Sequence, residues 1–388
     1  MNHTSPRRRP TMARGSLSSR RHFLTVLAAA SGLPLLGACG TALGGTAPPA
    51  RRGPADSPSP RVRISQVTSP GRKANRTSFP ITAVSLTWSG SPRGVRLRLI
   101  DRGGTPGGWR DVTAGCPCAK DAATLRTASA GPPHRALVPG RGSYGYQLDF
   151  DAGVKIIEAI AIDSGKLEGT SPSPSATASG TAFPPPGLVR RADWGADEAK
   201  RLTATGQESS PTRFSRVQAI TVHHTATPSD DPDPAATVRA IYEQHAVSND
   251  WGDIGYHFLI DRQGAVYEGR FSGKDGIPAH NADNEVVTAF HTFGFNPGNI
   301  GIALLGDFAK EEPSQPMRDS LVRLTASLAA RHGLDPLAKV TYLSPTSGKS
   351  TEGPALGGHR DWTSTECPGS NTYLDLPEVR ERAARLIR

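Results

Sequence analysis

Cysteine is scarce in this 388-residue chain, which has four, so a dense disulfide framework does not organise its fold. Aromatic residues make up only 6% of the sequence. No apolar run approaches the ~18 residues of a membrane-spanning helix, which argues against a polytopic membrane protein. The absence of a Gly-X-Y period excludes collagen, although Gly (42) and Pro (34) are abundant. We therefore expect long linkers between two domains.

Two further patterns are missing from the sequence. It contains no His-Glu-x-x-His helix of the zinc peptidases and no glycine-rich phosphate-binding loop. The formal charge of +10 is unevenly distributed: residues 1–38 contain six Arg and no acid, residues 39–180 carry +9, and residues 181–388 carry −5. Because the candidate catalytic residues lie in the acidic half, we expect no nucleic-acid partner.

The first 38 residues have the pattern of an export signal. Arg20-Arg21 precedes Phe23-Leu24 and a short apolar run, which resembles a twin-arginine signal. The segment Leu36 to Cys39 resembles a bacterial lipobox, in which Cys39 becomes the lipidated first residue. An ordinary cleaved signal with a chance cysteine is the alternative. Both interpretations predict an exported protein, either a lipoprotein on the outer face of the cell membrane or a protein secreted to the cell wall.

Composition divides the rest of the chain into four segments. Residues 39–78 are expected to be a flexible tether, and residues 166–187, rich in Pro and Ser, a second linker. Short alternating runs between Gly and Pro predict a small all-β, sandwich-like domain at 79–165. Its Cys116 and Cys118 could form a strained disulfide or have no function. Strands and helices alternate in residues 188–388, which predicts an α/β domain with a mixed central sheet flanked by helices.

Periodicity and capping signals locate the main elements of the α/β domain. Asp233-Pro234 is a helix start, and Gly333 ends a helix that contains Met317 and Leu321. Alternation around Tyr256 predicts that its side chain shares a face with Phe258 and Ile260. The predicted strands are 217–223, 255–261, 265–268 and 300–305, and the last helix is predicted at 377–387.

Histidine and cysteine supply the chemistry in this domain. His223 and His224 end a predicted strand, and His359 precedes Cys367 by eight residues. Since neighbouring strand residues face opposite ways, only one of the paired histidines can face a given site. Two His and one Cys thiolate with an open fourth position make a suitable catalytic zinc shell. A lone cysteine in an exported domain lacks a disulfide partner, and metal ligation explains it.

Seven motifs occur in the order of a known family. Together they resemble the peptidoglycan recognition protein and type 2 N-acetylmuramoyl-L-alanine amidase family, over about residues 188–388. The motifs are Thr221–Ala226, Trp251–Phe258, Gly269-Arg270, Ala279–Asn281, Gly301–Gly306, Gly358–Asp361 and Thr365–Gly369.

The resemblance implies an amidase type 2 fold and particular roles for its residues. It implies a Zn²⁺ ion held by His223, His359 and Cys367, with Tyr256 and Thr365 as catalytic residues. Thr365 occupies the position at which phage members carry Lys, and it can only hydrogen-bond. The resemblance also implies peptidoglycan (muropeptide) as the substrate. The weaker substrate-binding candidates are His224, Trp251, Arg270, His280 and Asn296.

Two functions remain open from the sequence. The first is a zinc amidase that cleaves the bond between the muramoyl lactyl group and L-alanine, and the second is a module that binds peptidoglycan without cutting it. Non-catalytic family members typically lack the cysteine that is present here as Cys367. Residues 281–293, including Asp283 and His291, form a longer stretch than most members have and are expected to be an enlarged groove rim. We expect a monomer, anchored to the membrane if Cys39 is lipidated.

Overall fold

A computed structural model describes residues 62–115, 133–166 and 181–388. The predicted signal, Cys39, Cys116 and Cys118 lie outside these residues. These described residues belong to one compact unit. Across the described residues, none of the helices combines the length and the apolarity that crossing a membrane demands.

The first part of the chain is a six-stranded antiparallel sheet, which we call the accessory sheet. Its strands follow in the order β1-β6-β2-β5-β3-β4. Valine, isoleucine and leucine alternate with polar residues along these strands, as expected for a sheet with a buried face. The strands are β1 Arg63–Thr68, β2 Asn75–Ser89, β3 Val95–Ile100, β4 Arg110–Asp111, β5 His134–Phe150 and β6 Lys155–Asp163.

The accessory sheet differs from the prediction in two respects. Strand β1 lies within the segment expected to be a tether, because residues 63–68 pair along β6 from Arg63↔Asp163 to Thr68↔Glu158. The six strands also form one continuous sheet instead of two separate layers. Strand β5 is long enough to pair with both β2 and β3, so Ala136 and Leu148 from its two halves enter the same core.

A five-stranded mixed sheet forms the centre of the second part. Its order is β10-β9-β12-β8-β15. Strands β9 and β10 are antiparallel. Strand β12 is parallel to both β9 and β8, and β15 is parallel to β8. The strands from here on are β7 Phe214–Ser215, β8 Ala219–His224, β9 Phe258–Ile260, β10 Val266–Glu268, β11 Val286–Val287, β12 Asn299–Leu304, β13 Lys339–Leu343, β14 Ser350–Pro354 and β15 Leu356–Gly358.

Helices flank this central sheet, as predicted for a mixed α/β fold. The Asp233 side chain accepts a hydrogen bond from the Ala236 amide, and Gly333 ends a helix with φ 62°. The helices are α1 Arg191–Trp194, a 3₁₀ turn Glu198–Arg201, α2 Pro234–Glu243 continued by a π turn Gln244–Ser248, α3 Gln315–His332, a 3₁₀ turn His359–Asp361 and α4 Ser370–Ile387.

Two boundaries in this part differ from the prediction. Helix α4 begins at Ser370, and Pro377 lies inside it, so the proline was wrongly interpreted as the helix start. The C-terminal end of the segment predicted as a linker packs against the central sheet. The Phe183 ring meets the Phe258 ring edge-on, with 6.2 Å between centroids. Ser327 Oγ also donates to the carbonyl of Ala182 at 2.8 Å. Burial of an aromatic side chain anchors this stretch to the central core.

The accessory sheet packs directly on helix α2. Its residues Ala83, Leu137 and Ile160 share one buried apolar cluster with Val238 and Ile241 of the helix. The opposite face of the sheet encloses a core of its own around Trp88 and Leu97. A sheet that is apolar on both faces needs a partner on each, and α2 is the partner on one. This packing places the accessory sheet beside the edge of the central sheet that carries the histidines.

Candidate metal centre and adjoining pocket

Two neighbouring parallel strands bring the first two candidate ligands together. His223 is the penultimate residue of β8, and His359 directly follows β15. These strands are parallel and in register, with Gly358 opposite Val222. Because the carboxyl ends of parallel strands share one edge of a sheet, the two imidazoles meet there, with 4.6 Å between ring centroids.

Cys367 completes a three-residue cluster from the loop before α4. The ligand atoms of His223, His359 and Cys367 all lie within 4.8 Å of one another, and all three residues are buried. The Cys367 Sγ is 3.6 Å from His223 Nδ1. The sequence prediction that these three residues come together is therefore met in the structure.

A hydrogen-bond chain determines which nitrogen of His223 faces the cluster. His291 Nε2 lies 2.9 Å from the carbonyl oxygen of Asn299, which can only accept, so this nitrogen carries the proton. His291 Nδ1 is then an acceptor for His223 Nε2–H, at 2.9 Å. His223 Nδ1 is left with a free lone pair directed at Cys367, which is the tautomer that a metal ligand needs.

Burial sets the charge of the cluster. It lowers the pKa of His359 to about 3 and, reinforced by the neighbouring imidazoles, holds the pKa of His223 well below its usual value. Both rings are thus neutral with lone pairs available. Burial raises the pKa of the Cys367 thiol to about 12. In the absence of a cation the thiol keeps its proton, and a soft divalent metal would displace it. Two imidazoles and a thiolate form a donor set that fits zinc with one position open.

Tyr256 lies beside the cluster. Its ring is buried, and its centroid lies 5.4 Å from that of His223. Burial, with a contribution from Cys367, raises the pKa of the phenol, so the hydroxyl remains a proton-bearing donor at neutral pH. The prediction that Tyr256 shares a face with Phe258 and Ile260 was wrong. Tyr256 belongs to the same buried apolar cluster as Leu259, whereas Phe258 and Ile260 belong to a different one. The regular strand begins only at Phe258, so alternation does not extend back to the tyrosine.

Thr365 and His224 hold the cysteine loop. Thr365 Oγ1 accepts from the Cys367 amide at 3.2 Å. The His224 amide points at Cys367 Sγ from 3.5 Å, while its own ring turns away and its Nδ1 accepts from the Phe308 amide at 3.2 Å. His224 is buried, and burial lowers its pKa to about 4. The structure thus directs the His224 side chain away from the cluster, as alternation predicted, and not into a substrate groove.

Two of the weaker substrate-binding candidates lie near Tyr256. The Trp251 ring packs against His245 at 4.6 Å between centroids, tilted by 41°, and both residues line a pocket that also includes Tyr256. Arg270 is buried behind this pocket, with its guanidinium 4.4 Å from the Phe290 ring centre. Only Trp251 of this pair therefore presents a surface to the pocket.

The other two candidates are structural. His280 is fully buried, and its Nε2 lies 2.9 Å from the Nε2 of His332 at the end of α3. Asn296 Oδ1 accepts from the amides of His291 and Thr292, at 2.9 and 2.7 Å. The groove contacts predicted for these residues therefore have no support from the His280 ring or from Asn296 Oδ1. Motif position alone could not reveal these contacts within the protein.

The segment predicted to be an enlarged groove rim, residues 281–293, is exposed at 282–284 and packs into the domain over much of the rest. Val286 and Val287 form β11, pair with β7 and are fully buried. His291 is fully buried as well and lies behind His223. Among the described residues, the cluster of His223, His359 and Cys367 is the only group of His, Cys, Asp or Glu arranged to hold a metal. The sequence drew attention to His291 but gave no signal of its contact with His223.

Comparison with known proteins finds relatives for the second part of the chain. A family profile described as N-acetylmuramoyl-L-alanine amidase matches residues 213–370. Peptidoglycan-recognition protein LB of Drosophila melanogaster is 28% identical over 192 residues, 49% of this chain and 67% of that protein. Peptidoglycan-recognition protein SC1a/b of Drosophila simulans is 30% identical over 191 residues, 49% of this chain and 83% of that protein. Human N-acetylmuramoyl-L-alanine amidase is 32% identical over 156 residues, which span 39% of this chain but only 22% of the human protein.

The mixed sheet and its buried His-His-Cys cluster define an α/β protein with a candidate metal-binding site at the carboxyl ends of two parallel strands. The chain belongs to the family of peptidoglycan-recognition proteins and N-acetylmuramoyl-L-alanine amidases. The accessory sheet precedes the matched residues 213–370.

Proposed function

We propose that residues 188–388 form a zinc-dependent N-acetylmuramoyl-L-alanine amidase. The bond cut is the amide between the lactyl group of muramic acid and L-alanine in peptidoglycan. The observation that carries the proposal is the buried cluster of His223, His359 and Cys367 beside the Tyr256 hydroxyl. Among known relatives, names that specify the amidase and names that specify recognition both occur. The intact cysteine favours catalysis over recognition alone.

The protein groups have distinct roles in this proposal. His223 Nδ1, a nitrogen of His359 and Cys367 Sγ would hold the zinc ion, and His291 orients the first of them. A bound zinc ion supplies a Lewis acid that polarises the amide carbonyl and lowers the pKa of water. Tyr256 keeps its proton at neutral pH, so its hydroxyl can donate to the oxygen on which negative charge develops. Thr365 has no basicity and orients the Cys367 amide.

The alternative function is a recognition module that binds peptidoglycan without cutting it. Relatives named peptidoglycan-recognition proteins support it, since recognition requires the groove but not the metal. The two functions differ in one measurable respect, because only the amidase releases peptides with new L-alanine amino ends.

We further propose that the protein works outside the cytoplasm, exported by its first 38 residues and anchored through lipidated Cys39. The positively charged segment 39–180 would favour anionic wall polymers through long-range attraction. Incorporation of a labelled fatty acid into the wild type but not into Cys39→Ala would support the anchor. Equal labelling of both proteins would refute it.

The decisive experiment measures zinc content and peptide release from purified peptidoglycan with the full chain. We expect about one zinc per chain in the wild type and peptide release, because three ligands with one open position define a catalytic site. Cys367→Ala should lose both, since the remaining two histidines cannot hold the ion. Tyr256→Phe should keep the zinc and lose about 10²–10³-fold in rate, the usual cost of one oxyanion donor.

His332→Gln is the matched control, because His332 is a second histidine with a strongly lowered pKa that lies outside the cluster. It should keep both zinc and activity. Zinc and peptide release retained by Cys367→Ala would refute the ligand assignment. Zinc and peptidoglycan binding in the wild type without release would instead establish the recognition function.

A further inference from the structure

A pocket beside Tyr256 has walls from both parts of the chain. The central domain contributes Gln244, His245 and Trp251, and the accessory sheet contributes Arg135 and Leu137. The family profile covers only residues 213–370, so the accessory wall lies outside the matched residues. The pocket lies next to the ring that adjoins His223, and a substrate held at the cluster would extend past it.

Strand register explains why Arg135 faces this pocket. Arg135 and Glu158 both lie opposite Thr87, from strands on either side of it, so the three side chains share one face of the sheet. Leu137 lies two residues after Arg135, and Ile160 lies two residues after Glu158, so both are on this same face. They pack into the apolar cluster that the sheet forms with α2. Arg135 therefore sits where the packed face of the accessory sheet reaches the pocket.

Two hydrogen bonds from one side chain hold the accessory sheet against α2 and its π turn. Gln244 Nε2, at the start of the π turn, donates to Ser85 Oγ at 2.8 Å and to the Ala136 carbonyl at 3.2 Å. All three residues are buried. A buried amide that bridges β2 and β5 fixes the sheet against the helix. The backbone next to Arg135 is thus anchored.

The polar groups of the pocket suit an anion. Among the described residues that line it, Arg135 is the one Lys or Arg and none is Asp or Glu. The Arg135 guanidinium forms no hydrogen bond or ion pair with the described residues. Desolvation lowers the pKa of Arg135 from its ordinary value, with Glu158 partly opposing the shift, and a guanidinium stays charged at neutral pH. His245 Nδ1 accepts from the Gly255 amide at 3.0 Å, which leaves its Nε2–H as a donor.

We propose that the accessory sheet completes the substrate site and that Arg135 binds a carboxylate of the stem peptide. This rests on the proposed function, because the muropeptide brings that carboxylate to the pocket. The residue after L-alanine in a muropeptide carries a carboxyl group that is either free or amidated. Arg135 selects the free acid, since a guanidinium forms two parallel hydrogen bonds and an ion pair with a carboxylate, whereas an amide offers it one neutral oxygen and an NH2 group that cannot accept. Arg135 is thus a specificity-determining residue.

The test uses the full chain loaded with zinc and two muropeptides that differ only in whether this carboxyl group is free or amidated. We expect Arg135→Gln to raise KM for the free acid about 10-fold, to leave KM for the amide within about twofold and to leave kcat little changed. Arg135→Lys should restore part of the preference, because it keeps the charge but not the planar fork. Arg98→Gln is the matched control on β3 of the same sheet, and Arg98 does not line the pocket.

The outcomes separate this inference from the proposed function. Equal KM changes for both muropeptides, or none, in an active Arg135→Gln protein would overturn the role of Arg135 alone. If the wild type binds but releases no peptide, the amidase fails, and the Kd ratio of the same two ligands by calorimetry then decides the role of Arg135. A wild type that neither binds nor cleaves either muropeptide overturns both proposals.

Discussion

His291 shows how a residue outside the predicted ligand set controls one inside it. It links the carbonyl of Asn299 to His223 through two hydrogen bonds of 2.9 Å. These bonds hold both the ring orientation and the tautomer of His223. Gly301 makes room for the imidazole, since a Cβ at that position would lie 2.5 Å from His291 Cγ. The strand residue and the loop histidine are therefore matched in shape.

We predict that His291→Ala weakens zinc binding by about 10–100-fold, as is usual when a partner behind a metal ligand is removed. His291→Gln should recover part of the affinity, because its amide can accept from His223 and donate to the Asn299 carbonyl. Competition with a chromophoric chelator measures the affinity. The control His332→Gln should bind zinc like the wild type. An unchanged affinity in His291→Ala would show that the hydrogen bond has no role in holding the metal.

At the scale of elements, helix α2 connects the two sheets. Its buried residue Arg239 donates to three backbone carbonyls, those of Ser164, Gly165 and Trp194, each at 2.8 Å. Ser164 and Gly165 directly follow β6, and Trp194 is the last residue of α1, so one side chain joins α2 to both segments. Desolvation lowers the pKa of this guanidinium, with nearby Asp233 and Asp163 opposing the shift. The helix thus holds the accessory sheet in place by polar as well as apolar contacts.

We predict that Arg239→Met lowers the free energy of unfolding by about 3 kcal/mol or more. Methionine fills similar space but leaves three buried carbonyls without their donor, and each such group costs about 1–3 kcal/mol. Urea titration followed by circular dichroism measures the change. Arg323→Met on α3 is the control, because Arg323 is only half-buried and should cost under about 0.5 kcal/mol. Equal losses in both variants would refute the role assigned to Arg239.

For the whole molecule, buried neutral histidines make stability depend on pH. Burial lowers the pKa of His245 and His332 to about 3 and that of His280 to about 4. In the unfolded chain a histidine titrates near pH 6.5. Between these values the unfolded chain binds more protons than the folded protein does. Acidification through this range therefore favours unfolding.

We predict that the melting temperature of the zinc-free protein falls as the pH is lowered from 7 to 5. Scanning calorimetry at intervals of half a pH unit measures it. His332→Gln removes one of the contributing groups, so its melting temperature should fall less steeply over the same range. A melting temperature that is constant or rises on acidification would contradict the view that these histidines are buried and neutral.

Local signals account for the parts of the structure that the sequence could predict. Three features depend only on residues close in sequence and could be predicted without the tertiary structure. They are the helix cap at Asp233, the glycine after α3 and the apolar strand β12. Strand β1 was missed because its side chains are half-exposed or exposed, which gives no clear alternation of buried residues. The start of α4 was misplaced because Pro377 is also compatible with a position inside this helix.

The sequence by itself determined the chemistry of the candidate site, because the ligand types, their order and the tyrosine near them are properties of residues. Only the tertiary structure decided what surrounds that chemistry. His291 reaches His223 across 68 positions, and Gln244 reaches Ser85 across 159. Such contacts depend on strand register and on the packing of the accessory sheet against α2, which no local pattern encodes. The same packing placed Arg135 in the pocket beside Tyr256.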